Sequence, residues 1–213
     1  MKARPILFSA PMVRALLAGT KTQTRRVVKP QPDSVKALGR DDALVPYRVA
    51  APPADMPSAR MEVPILCPYG QPGDLLYVRE TWAADGQGGV RYYATDDVHD
   101  LRRKRVSIHM PRWASRLTLE ITDVRVERLQ DISEADALAE GIQRWPDGRF
   151  AGDDHDPDPN RLAATSAVGA YSLLWTHING PGSWDANPFV WAVSFRVHRT
   201  NVDQVLTHLG AAA

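Results

Sequence analysis

From residue 189 to residue 197 the chain alternates without interruption. Phe189, Trp191, Val193, Phe195 and Val197 fall on one side, against Val190, Ala192, Ser194 and Arg196 on the other. A period of two is the signature of a β-strand, and a strand this long needs partners to bury it. Partners are legible elsewhere. Arg4–Phe8 reads as a short strand, and Thr22–Val28 as a β-branched one. Leu75–Trp82 reads as a strand in which Leu76, Val78 and Glu80 share a face, and Val90–Thr95 as its follower. The tally is five or six strands with three or four helices among them. No βαβ repetition or internal repeat appears, so the pattern predicts an α+β, mainly β fold. It favours an antiparallel barrel with peripheral helices over a doubly wound sheet. With 213 residues, 44% of them hydrophobic, the chain can build one core plus decorations.

Local signals refine this picture. Ser9 is placed to cap a helix carrying Pro11 in its first turn and Met12, Ala15 and Leu16 at helical spacing, and Gly19 ends it. Leu117, Leu119 and Ile121 alternate, then the apolar phase slips to Val124 and Val126. That slip predicts a β-bulge near Thr122-Asp123. Ser133-Glu134-Ala135-Asp136 is a near capping box for a helix running through Glu140, with Gly141 closing it. A further helix is expected over Arg161–Ile178, stopped by Gly180-Pro181-Gly182, and Asn201 is placed to cap a short C-terminal helix. We expect one domain over residues 1–200, with loop insertions at about 29–64, 83–112 and 143–161, then a short helix and tail over 201–213. The stretch from Lys29 to Pro64 takes many of the 17 prolines and reads as irregular loop.

Charge is balanced overall, at +1, but unevenly spread. Residues 1–32 hold seven Lys/Arg and no Asp/Glu, and Arg102-Arg103-Lys104-Arg105 is followed by Arg112 and Arg116. The arrangement is either one electropositive face that attracts phosphate or, over 102–105, a solvated charge run. Asp147, Asp153, Asp154, Asp156 and Asp158 make an acidic counterpart. The Asp154-x-Asp156-x-Asp158 spacing lacks the glycine and distal glutamate of a calcium loop. The single cysteine, Cys67, excludes an intramolecular disulfide and reads as a small core residue. Six scattered histidines offer no zinc spacing, and P-loop, dinucleotide and nucleophile-elbow motifs are absent. No metal or cofactor is called for. No apolar run reaches the roughly 20 residues of a membrane span, and we expect a cytoplasmic protein with no membrane partner.

Two polar clusters remain. Gly19-Thr20-Lys21-Thr22-Gln23-Thr24-Arg25-Arg26 falls at a helix end and a strand start. In an extended segment Thr22, Thr24 and Arg26 share one face, with Lys21, Gln23 and Arg25 on the other. The corner before the strand lets Lys21 swing toward Thr24. Burial and the neighbouring arginines would lower its pKa, so Lys21 is a candidate base or nucleophile. The alternative is a basic strand edge facing solvent or phosphate. The second cluster is Tyr77-Val78-Arg79-Glu80-Thr81-Trp82. It reads as a barrel mouth where Trp82 stacks on a base and Arg79 or Glu80 bonds its edge, or as a core Trp beside a structural ion pair. Glu140 sits at a helix C-terminus, where the dipole disfavours a carboxylate, so a partner such as Lys21 or Arg79 is expected.

Four motifs in order resemble the ASCH domain family. They are Gly19-x-Lys21-Thr22-x-Thr24-x-Arg26; Pro72-Gly73-Asp74-x-x-x-Val78-Arg79-Glu80-Thr81-Trp82; Glu134-Ala135-x-x-x-x-Glu140-Gly141-Ile142; and Trp184-Asp185-x-Asn187-Pro188-x-Val190-Trp191. The last is similar to the longer, phage- and prophage-associated branch. The resemblance spans residues 5–197. It implies a PUA-like β-barrel with a cleft between barrel and helices, and a role in binding RNA. Small bacterial members are amidohydrolases that deacetylate N4-acetylcytidine, and carried over by motif their catalytic set is Lys21, Thr24 and Glu140. Arg26, Arg79, Glu80, Trp82 and Trp191 are the substrate-contacting candidates. This chain is much longer than those enzymes, so its insertions either line, cover or block the cleft.

An N4-acyl cytosine is an amide whose nitrogen is conjugated to an electron-poor ring, which makes the amine a good leaving group. Lys21 would serve as base or nucleophile, Thr24 would orient water or donate to the oxyanion, and Glu140 would relay the proton. The expected partner is a modified nucleoside or RNA, and a monomer is favoured. The competing readings are a non-catalytic module for RNA or modified nucleic acid and, third, a ribonuclease.

Overall fold

A computed structural model describes residues 1–38, 43–51, 61–96, 104–152 and 162–211. In chain order the first elements are β1 (Ala3–Leu7), α1 (Ala10–Ala18), β2 (Gln23–Val27), β3 (Ser34–Leu38), β4 (Ala43–Ala50) and β5 (Met61–Pro64). Then come β6 (Leu75–Arg79), β7 (Trp82–Ala84), β8 (Val90–Tyr92), β9 (Thr118–Arg128) and α2 (Glu134–Ala139). The last are β10 (Gln143–Arg144), β11 (Phe150–Ala151), α3 (Ala167–Asn179), β12 (Phe189–His198) and α4 (Val202–Ala211). The fold is mixed and mostly β, with a five-stranded sheet in the order β1-β6-β9-β12-β2 and four helices among the described residues.

The alternation at 189–197 has a direct structural cause. Trp191, Val193 and Phe195 face the main core with Leu76, Leu119 and Ile121, joined by Val13 and Leu16 of α1. Val190 points to the other side of the sheet, into a second core with Leu129, Tyr171 and Trp175 of α3. A strand covered on both faces carries apolar residues at both phases. Truncating a fully enclosed member such as Leu16 to alanine would cost about 2–5 kcal/mol. The long β9 pairs with β12 along its length. Its register slips so that Ser194 faces Asp123 and Phe195 faces Ile121. Thr122 is thus the extra residue, and the bulge lies where the apolar phase changed. Both helix signals hold as well. Gly19 closes α1 at φ 78°, and the Ser133 side chain accepts from the Asp136 N–H.

Several expectations are corrected. The strand pairing is not wholly antiparallel, because β1 runs parallel to β6. The stretch from Lys29 to Pro64 is not irregular: β3, β4 and β5 form their own antiparallel sheet. The expected strand Leu75–Trp82 breaks after Arg79 and resumes as β7, which pairs with β8, and β8 ends at Tyr92 rather than Thr95. The 143–161 insertion contains the β10–β11 hairpin, and α3 begins at Ala167 rather than Arg161. Cys67 is half-buried against the main core. The Asp154, Asp156 and Asp158 spacing, Asp153, and Arg102 and Arg103 lie outside the described residues.

No closed barrel is found among the described residues, for β1 and β2 are the sheet's edges and do not pair. A side chain links them instead. The Arg26 guanidinium on β2 donates to the Leu7 carbonyl on β1 at 2.8 Å. The sheet therefore curls until its two edges face each other across one arginine. No helix among the described residues is long and apolar enough to cross a membrane.

Candidate functional site

The corner between α1 and β2 sets the site. After Gly19, the Thr20 and Lys21 N–H groups both donate to the Ala15 carbonyl, which turns the chain back over its own helix. Lys21 then forms an isolated bridge with Glu140, at the end of α2, rather than joining β2. The Thr22 N–H donates to Ala139 and secures the same junction. Gly141, at φ 101°, follows Glu140. A Cβ there would stand 3.2 Å from the Ala15 Cβ and 3.5 Å from the Lys21 Cβ, so glycine permits both the turn and the close packing.

This geometry swings Lys21 into the interior. Its residue is 1% exposed, and its Nζ donates to the Glu140 carboxylate at 2.6 Å and to the Glu140 carbonyl at 2.8 Å. Burial pushes the lysine pKa down, with Arg26 and Arg25 adding to the shift and Glu140 opposing it. The other Glu140 oxygen receives the Tyr171 hydroxyl at 3.4 Å and lies 3.5 Å from Arg25. Burial, reinforced by Glu140, holds the Tyr171 phenol well above its ordinary value, so it remains a donor.

Lys21, Thr24, Arg25, Arg26, Glu140 and Tyr171 line one cavity, walled by Leu174, Trp175 and Ile178 of α3 and by Met12 of α1. Thr24 is buried in the same lining, and its side chain makes no hydrogen bond among the described residues. The cavity is tight, about 70 Å³.

The structure brings together Lys21, Thr24, Glu140 and Arg26. It does not bring Glu80, Trp82 or Trp191 to the cavity. Glu80 is buried in a two-pronged pair with Arg116, at 2.9 Å for each prong. Trp82 is enclosed with Met110 and Ala114, edge-on to Trp113 and beneath the Arg105 guanidinium. Trp191 belongs to the main core. Arg79 lines a neighbouring groove. Among the described residues no three His, Cys, Asp or Glu side chains are arranged to hold a metal.

Two residues that hold Glu140 were not among the candidate site residues. Arg25, fully buried, donates to Glu127 at 2.8 Å and to Gln23 at 2.6 Å, and reaches Asp136 at 3.3 Å. Its acidic neighbours come from β9 and α2, so no local pattern announces it. Tyr171 lies in an expected helix, but nothing in the helical period says which side chain will meet Glu140. The chain matches no protein-family model, no curated protein and no solved structure.

Proposed function

We propose that this chain is an ASCH-type, PUA-like protein that hydrolyses the amide of an N4-acylated cytosine or a related modified base. The curled sheet, with its edges bridged by Arg26, supports a PUA-like architecture. The observation that carries the chemical reading is the buried Lys21–Glu140 pair beside an unengaged Thr24 hydroxyl in one cavity. Burial pushes the Lys21 pKa below the ordinary lysine value, so its ammonium gives up a proton more readily than an exposed lysine does. The amine so formed takes a proton from water as the water oxygen attacks the acyl carbon. Thr24 donates to the developing oxyanion. Glu140 accepts the proton from Lys21 and passes it to N4 as the carbon–nitrogen bond breaks, releasing a carboxylic acid and the free amine. Arg25 and Tyr171 hold Glu140 in place.

The tightness of the cavity favours one second reading, a non-catalytic module that binds RNA or modified nucleic acid on its surface. Chromatography of N4-acetylcytidine incubated with wild type, Lys21→Ala and Glu140→Gln separates the two. Cytidine release by wild type alone supports the hydrolase. No release by folded wild type sinks it for this substrate and moves the weight to nucleic-acid binding.

A further inference from the structure

Beside the cavity runs an open groove of about 360 Å³, lined by Leu7, Arg26, Tyr69, Arg79 and Ile108 among others. Arg26 is the wall that groove and cavity share. Both arginines gather at the end of β1: Arg26 donates to the Leu7 carbonyl, and Arg79 is the register partner of Leu7 across the β1–β6 pair. Each lies over an aromatic ring, Arg26 at 5.2 Å from the Phe8 centroid and Arg79 at 5.9 Å from that of Tyr77, but neither meets a carboxylate among the described residues. Every other buried or half-buried cation of the site, Lys21 and Arg25, has a carboxylate within 4 Å. Neither Arg26 nor Arg79 makes an ion pair among the described residues. The Nε–H groups of both are enclosed and lack a hydrogen-bond partner. A buried donor left without an acceptor is costly, and here it coincides with two guanidiniums that meet no carboxylate among the described residues and line one groove. The Tyr69 phenol, pushed up by burial, lines the same groove as a third donor. Leu7 and Ile108 give the groove apolar walls that suit a sugar.

We propose that this groove is a phosphate subsite, so that the substrate is a phosphorylated nucleotide, free or within a strand, rather than a bare nucleoside. The inference rests on the reading of the cavity as the site that holds the base. Paired guanidiniums present parallel N–H donors matched to phosphate oxygens. With the base beside Lys21, the shared wall at Arg26 puts the substrate's phosphate between Arg26 and Arg79.

Two readouts test this separately. In the first, the arginine Nε–H resonances are followed by NMR as inorganic phosphate is added to wild type and to Arg79→Gln. The subsite predicts a saturable shift of two resonances in wild type, with the Arg79 signal absent and the remaining shift weakened in the variant. Shifts that stay linear and equal across all arginines overturn it. In the second, kcat/KM is compared for N4-acetylcytidine, its 5′-monophosphate and a short RNA carrying the same base. The monophosphate should exceed the nucleoside by about tenfold or more, and Arg79→Gln should bring that ratio toward one. Preference for the RNA alone assigns the phosphate to a strand, and equal preference assigns it to the nucleotide's own. Equal rates on all three overturn the subsite. A saturable phosphate shift with no turnover of any substrate keeps the subsite and removes the amide chemistry instead.

Discussion

Two glutamates of this protein are buried beside a cation, and they are built for different ends. Glu80 is held by Arg116 through two parallel hydrogen bonds in a wall of Trp82, Met110 and Tyr92. Glu140 is held by Lys21 at the edge of a cavity, with Thr24 beside it. An arginine stays charged at any pH a protein survives, so the Glu80 pair can only hold structure together. A buried lysine exchanges its proton far more easily, so the Glu140 pair can move one. Burial of an ion pair is therefore no sign of chemistry by itself. The cation's identity and access to a cavity decide it.

The two pairs should differ most in turnover. Lys21→Met should cut deacylation by about 10²–10⁴, the span of one general acid–base group. Circular dichroism should show it folded, since Arg25 still faces Glu140. A turnover loss below tenfold would make the two pairs equivalent. Next in size is Arg116→Met, which strands a buried carboxylate and should cost about 3–5 kcal/mol in urea unfolding at pH 7. The loss should shrink as the pH falls, because burial already raises the Glu80 pKa and protonation removes the stranded charge. A cost below about 1 kcal/mol would mean that the wall around Glu80 is wet.

The pH dependence of stability sharpens the contrast, because the two groups shift in opposite senses. Lys21 is pushed below the ordinary lysine value of 10.5, so the unfolded chain binds more protons between its folded pKa and 10.5. Stability from this group rises with pH through that window, by at most about 1.4 kcal/mol per unit. Burial raises Glu80 above the ordinary 4.5, with Arg116 opposing. Here the folded chain holds the extra proton, so stability falls as pH climbs from 4.5 through the folded value. Urea titrations should show the alkaline slope vanish in Lys21→Met and the acid slope persist. The smallest effect belongs to Tyr171→Phe. Its 3.4 Å bond to Glu140 is long, so about 0.5–1 kcal/mol of stability should go. A larger loss would make Tyr171, rather than Arg25, the main support of Glu140.

Legibility in the sequence followed the range of the forces involved. The Gly19 end of α1, the Ser133 cap and the phase slip at Thr122 are local, and each appeared in the chain before it appeared in space, whereas Ser9 stands at the start of α1 without a side-chain cap bond. The corner at Gly19 was local too, which is why Lys21 could be expected to leave the strand pattern and meet Thr24. The β3–β5 sheet was not legible. Its strands are short and largely exposed, broken by prolines, and held by cross-strand pairs such as Ser34 with Tyr47. The parallel direction of β1 leaves no mark in five residues. For Trp82 the sequence left open a stacking platform or a core position beside a structural ion pair. The structure takes the second, with Met110 and Trp113, about thirty residues downstream, setting its environment. Arg25 was hidden for the same reason, its carboxylates arriving from β9 and α2.

The Lys21–Glu140 bond joins residues 119 apart, and β2 finds its place only beside β12, where Gln23 meets Ser194 across 171 residues. Contacts of such span must close long loops before they return any stability, and so they form late and slowly. Recovery from denaturant should therefore run in two acts. Helical signal and local hairpins return first, and the Lys21–Glu140 pair forms only when the last edge strand docks.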